Sequence, residues 1–208
     1  MRRSRWLGIA ALLTAGCVAR DAAEPRFFRL DVAAPPAAAT SEAIGAAPSP
    51  APYAANLHSL HLRSVTGAPF LRERIVWRSS PVEYHFYEQR RWLELPAAYV
   101  ERSLVSSLRA TGAVILSDDG TAPALTAEVD AFDEVRSPAH VAQVSVHVVL
   151  RGSDRRPLLD QAFTVDEPIV DDDPLTMTRA MGHAVGETSS RIATAVAASL
   201  VAAPPSGR

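Results

Sequence analysis

Between Leu57 and Val165 the chain alternates apolar and polar residues in short runs separated by turn signals, as half-buried strands do. Leu57 to Val65 sets Leu60 and Leu62 against His61 and Arg63. Ile75-Val76-Trp77 and Val82 to Glu88 follow, parted by Ser79-Ser80-Pro81. In the latter, Val82, Tyr84 and Phe86 alternate with Glu83, His85 and Tyr87. The period then changes to helical. Pro96 suits a first helical position, Val100, Leu104 and Leu108 recur every four residues, and Gly112 stands where a left-handed C-terminal cap belongs, predicting a helix over about 96–110.

Ala113 to Leu116, Pro123 to Val135, Val141 to Leu150 and Leu158 to Val165 read as further strands. In the third, Ala142, Val144, Val146, Val148 and Leu150 share one face, with Gln143, Ser145 and His147 on the other. Asp173 and Pro174 open a second helix, whose stripe of Met177, Met181, Val185, Thr188, Ile192 and Val196 runs to about Leu200. Strands, helix, strands, helix, with hairpin-sized gaps between the middle strands, argue an α+β fold. The expected architecture is an antiparallel or mixed β-sheet with two helices packed on one face.

Ahead of this body the pattern differs. Arg2, Arg3 and Arg5 precede an apolar run from Trp6 to Ala15, about half the ~20 residues a membrane-spanning helix needs. Thr14-Ala15-Gly16 and then Cys17, the chain's single cysteine, follow at once. A basic flank, short apolar run and small-residue exit describe a secretory signal peptide over 1–16. The cysteine at the cleavage point resembles a bacterial lipobox, which makes Cys17 the lipid-anchor residue, carrying palmitate or a related acyl chain. The resemblance implies sorting by the next residue, Val18 rather than Asp, toward the outer membrane. Residues 17–56 then hold the lipid anchor, a short β-prone patch at Phe27 to Val32, and an Ala/Pro/Ser-rich linker from Ala33 to Asn56. The folded domain is expected over 57–202 and a flexible tail over 203–208.

Composition changes the picture only by exclusion. Of 208 residues 48% are hydrophobic and 21% charged, enough for a packed core. The 21 basic residues, all Arg, face 23 acidic ones, and loss of Arg2, Arg3 and Arg5 with the signal takes the formal charge from −2 to −5. No net positive field favours nucleic acid. One cysteine excludes an intrachain disulfide and a cysteine-based zinc site. His58, His61, His85, His140, His147 and His183 are scattered, without carboxylates at ligand spacing, and Asp171-Asp172-Asp173 lacks the alternating ligands and Gly of a calcium loop. Neither a phosphate-cradling G-x-x-x-x-G-K-[ST] loop nor a G-x-S-x-G elbow occurs. No catalytic residue, metal or cofactor is expected, and the chain reads as a non-enzyme.

The block IVWRSSPVEYHFYEQRRWLELPAAYVERSL, Ile75 to Leu104, resembles the ABC-type transport auxiliary lipoproteins, which include the paraquat-inducible protein C-like lipoproteins. The shared pieces stand here as Ile75-Val76-Trp77-Arg78, Tyr84-His85-Phe86-Tyr87, Arg91-Trp92 and Pro96, with the lipobox, an early Phe27-Phe28-Arg29-Leu30-Asp31 and the closing Ala-rich helix in order. The resemblance implies a lipid-anchored, periplasm-facing partner of an ABC transporter, with its permease, ATPase and MCE-domain (mammalian-cell-entry) protein. Such systems move phospholipid or other hydrophobic molecules between membranes. The alternative is an assembly lipoprotein of another envelope machine, such as lipopolysaccharide export or a secretion channel. A homo-oligomer is compatible with either.

Trp77, Tyr84, Phe86, Tyr87 and Trp92 fall within sixteen residues. Tyr84, Phe86 and Trp92 suit core positions. Trp77 and Tyr87 are the better candidates for exposure, and with Arg90, Arg91 and Trp92 they form the expected partner or lipid contact.

Overall fold

The computed structural model describes residues 24–32 and 57–203. The expected signal peptide, Cys17, the linker from Ala33 to Asn56 and the tail at 204–208 lie outside the described residues. The elements are β1 (Arg26–Phe28), β2 (His58–Gly67), β3 (Arg74–Arg78), β4 (Tyr84–Trp92), α1 (Pro96–Ala110), β5 (Val114–Leu116), β6 (Ala124–Val135), β7 (Val141–Arg151), β8 (Pro157–Pro168) and α2 (Pro174–Ala202). They form one mixed eight-stranded sheet with both helices packed on it, an α+β fold.

β6 organises the sheet. Along one edge it pairs antiparallel with β7 over its full length, and β7 pairs antiparallel with β8. Along its other edge two strands share it in tandem, both parallel: β2 on Ala124 to Val129, then β3 on Asp133 to Val135. β5 lies parallel to β2, and β4 antiparallel to β3. β1 pairs parallel with β4, in the register Phe28↔Trp92. Residues 24–32 are therefore part of the folded unit: Phe28 and Leu30 are buried, and the Leu93 N–H donates to the Phe28 carbonyl at 2.8 Å.

The strict alternation of β7 puts Ala142, Val144, Val146, Val148 and Leu150 under the helices, and Gln143, Ser145 and His147 on the uncovered face. α1 starts on Pro96 with no side-chain cap, and its chain leaves through Gly112, whose φ of 65° favours glycine. Tyr99, Val100, Leu104 and Leu108 form its buried stripe. In α2 the Asp173 carboxylate accepts the Leu175 N–H at 3.1 Å, satisfying one of the free donors of the first turn. Met177, Met181, Val185, Thr188, Ile192, Val196 and Leu200 are buried against β7, β8 and α1. No described helix is long and apolar enough to cross a membrane.

The aromatic strand departs from the expected period. β4 pairs Val76 with Phe86 but Arg74 with Arg91, so extra β4 residues intervene between the two pairs. An odd insertion reverses which side chains face which way. Phe86 and Trp92, of equal parity in sequence, consequently take opposite faces. Trp92 enters the core edge-on to Tyr99 and Phe132, with ring centroids at 6.3 and 5.5 Å. Tyr84 is left exposed against Phe70, and Phe86 only half-buried with the Arg74 guanidinium over its ring.

Candidate functional site

The C-terminal end of β6 carries two consecutive acids, Asp133 and Glu134, both buried. Neighbouring strand residues point to opposite faces, so each acid needs its own partner set. Asp133 takes the Arg78 guanidinium on the uncovered face. Glu134 lies on the helix side, level with Trp77 of β3 and Ala142 of β7.

Glu134 is the hub of a rim cluster beyond the cover of the helices. Tyr87 Oη donates to its Oε2 at 2.7 Å, Arg136 Nε to Oε1 at 3.0 Å, and His140 Nε2 lies 2.8 Å from Oε1. Arg136 also donates to the Tyr87 oxygen, and its guanidinium sits 4.8 Å from the Trp77 ring centre and 5.6 Å from that of Tyr87. Trp77 stacks on His85, its register partner, at 4.2 Å and 15°. Arg90 lies 4.2 Å over Tyr87. Two guanidinium groups beside aromatic rings give a surface that is cationic and aromatic, with attraction through the ring quadrupole.

Electrostatics follow the geometry. Burial, then the bond to Glu134 and its charge, push the Tyr87 phenol up to about 12. Burial alone would raise the Glu134 carboxyl, but hydrogen bonds from Tyr87 and His140 and the Arg136 charge outweigh it and hold it below its ordinary value. Burial also acts against the Arg136 charge, and the Glu134 carboxylate more than compensates.

Of the residues expected to contact a partner or lipid, Trp77, Tyr87 and Arg90 are together in this cluster. Arg91 is half-buried beside β1, level with Phe27, and its Nη1 is buried without a hydrogen-bond partner among the described residues. Trp92 is 1% exposed and belongs to the core. Just past it, Leu93 and Leu95 are exposed, as is Phe27 on β1. Sequence reasoning missed Glu134, Arg136 and His140. The available signal was two adjacent acids at the end of an otherwise apolar strand. Among the described residues no cluster of His, Cys, Asp and Glu could hold a metal ion.

Fold and rim define an α+β domain whose buried ionisable groups are committed to one another and whose outer rim offers aromatic and cationic area. A model of the family described as ABC-type transport auxiliary lipoprotein component matches residues 41–193, and the chain belongs to that family. It is thus an auxiliary lipoprotein component of an ABC-type transport system, lipid-anchored in the cell envelope. A crystal structure from Xanthomonas campestris, assigned to the family DUF330, superposes with a TM-score of 0.65 at 18% identity, covering 83% of this chain and 96% of that one. An uncharacterized protein aligns with a TM-score of 0.58 at 15% identity, covering 68% and 94%. Both likenesses concern the fold. A PelC dodecamer from Paraburkholderia phytofirmans reaches a TM-score of only 0.38 at 12% identity, with 65% and 89% covered, and no assembly is inferred from it. A search of curated proteins returns no match.

Proposed function

We propose that this protein serves an MCE-type ABC system moving phospholipid or another hydrophobic molecule between membranes. In this reading it is anchored through Cys17 in the outer membrane and works by binding, without catalysis. The observation that carries the reading is the family match over residues 41–193. The partner is an MCE-domain protein, which acts with the permease and ATPase.

The contact surface follows β4 from Tyr87 to the start of α1. It comprises Trp77, Tyr87 and Arg90, together with Arg91 and the exposed Leu93, Leu95 and Phe27. Exposed apolar side chains next to planar cations suit a protein interface, where a buried anchor contributes ~2 kcal/mol or more. Trp92 has no surface to offer and supports the strand from beneath. The test is co-purification of the MCE-domain protein with the full lipoprotein. Leu93→Asp and Arg90→Glu should reduce recovery at unchanged thermal stability. Equal recovery by both variants would place the interface elsewhere, and no recovery by the wild type would favour another envelope machine.

A further inference from the structure

At the opposite end of β6, on the sheet face that the helices leave uncovered, lies a cavity of about 580 Å³. Its charged lining is Arg63 of β2, Arg151 at the end of β7 and Arg155 in the turn to β8, joined by His61. We propose that this cavity is a binding site for a phosphate-bearing anion, held by the guanidinium groups of Arg63, Arg151 and Arg155.

The fold brings these groups together for specific reasons. His61, Ala124 and Arg151 are register partners across three adjacent strands, so they share one face about 5 Å apart in sequence of strands. Ala124 in the middle keeps the floor low between two long side chains. Arg63 stands at the irregularity between Leu62 and Ser64, where β2 has no partner residue on β6. Arg155 has a φ of 67°, an uncommon conformation for a residue with a side chain, which tightens the turn at the cavity wall. Gly120, Ala122, Gly152 and Ser153 complete the lining. His61 Nδ1 donates to the Ser117 carbonyl at 3.0 Å, which fixes the ring.

Charge makes the case. Among the described residues no carboxylate forms an ion pair with Arg63, Arg151 or Arg155. The nearby acids are engaged elsewhere: Asp154 with Arg156, at 3.4 Å and through the Arg156 N–H, and Asp119 with Thr121. Three guanidinium groups with no ion-pair partner among the described residues surround one concavity and repel one another. An anion with several acceptor oxygens relieves that repulsion and matches the fork geometry of arginine. The volume lies in the range of small-ligand pockets and exceeds what phosphate alone requires, so the phosphate bears an organic group. A lipid headgroup and a soluble organophosphate share this chemistry. The proposal stands on the cavity and not on the identity of the transport partner.

The test is phosphorus NMR and calorimetric titration of the full lipoprotein in a phosphate-free detergent. The probes are inorganic phosphate, glycerol 3-phosphate and dihexanoyl phosphatidic acid below its micellar concentration. Saturable one-to-one binding is expected with the organic phosphates, weakened at least tenfold in Arg63→Gln and in Arg151→Gln. Arg156→Gln, outside the cavity, should bind as the wild type does. Tighter binding of the short-chain lipid than of glycerol 3-phosphate identifies a lipid headgroup, and equal binding a soluble phosphate ester. Absence of saturable binding to every probe overturns the proposal. So does unchanged affinity in both cavity variants when their thermal unfolding matches the wild type.

Discussion

The Asp133 carboxylate is wholly buried beneath the guanidinium of Arg78, which donates to it through Nε and to Gln143 through Nη2. Gln143 in turn donates to Asp166 at 2.7 Å, so one polar chain crosses β3, β6, β7 and β8 on the uncovered face. Asp133 Oδ1 has no partner among the described residues, and burial, against the opposing pull of Arg78, raises the carboxyl pKa. Removing Arg78 alone leaves a buried charge uncompensated, at a cost of ~3–5 kcal/mol, whereas removing both partners together is often close to neutral.

Arg78→Met should therefore destabilise strongly at pH 7, and Arg78→Met with Asp133→Leu should recover most of the loss. A carboxyl whose folded pKa lies above its unfolded value supports folding most fully below the unfolded value, and that support is lost as pH rises through the folded one. The deficit of Arg78→Met should accordingly shrink between pH 7 and pH 4. Urea unfolding of the three proteins at both pH values measures this, and an equal deficit at both would show that Asp133 does not govern it.

Trp92→Ala should cost ~3–5 kcal/mol, the range for deleting a large core aromatic, because the space between Tyr99 and Phe132 cannot close. Denaturant unfolding reads the loss. A variant as stable as the wild type would mean that the ring is not packed there.

Tyr87 should ionise near 12, and its step should vanish in Tyr87→Phe. The neutral phenol is the form the fold prefers. Its contribution is present below the unfolded value of ~10 and is lost as pH rises toward 12. Absorbance near 295 nm during alkaline titration follows it, and a Tyr87 step at ~10 would mean that the phenol is neither buried nor bonded to Glu134 in solution.

Gly182 of α2 lies under the backbone of residue 31: an added Cβ would stand 2.7 Å from the Asp31 carbonyl oxygen. Helix propensity favours Gly182→Ala by up to ~1 kcal/mol, but overpacking against a backbone atom costs ~1–3 kcal/mol, so packing decides the sign. A lower melting temperature is expected. If residues 24–32 were absent, the same substitution should become neutral or stabilising.

Cys17→Ser should abolish metabolic labelling with a clickable palmitate and release the protein from membranes. Equal labelling of both forms would end the assignment of the anchor to Cys17.

The repeating elements were legible before any contact was known. α1 begins and ends where Pro96 and the four-residue recurrence place it, and the β7 alternation reads directly as one buried and one uncovered face. These features depend on periods of 3.6 or 2 within a single segment, and apolar burial acts on them whatever the neighbour is. Contacts between distant segments were not legible. Three residues of β1 carry no signal that they pair with β4, and the parity change in β4 that sends Trp92 inward and leaves Tyr84 outside appears only once β3 lies beside it. Arg78 and Asp133 stand 55 positions apart, and Arg63 and Arg151 farther still. Local periodicity determined which segments are strands and helices. Tertiary structure decided which charges meet and which aromatics are buried, because register, bulges and strand order set those distances and no single segment contains them.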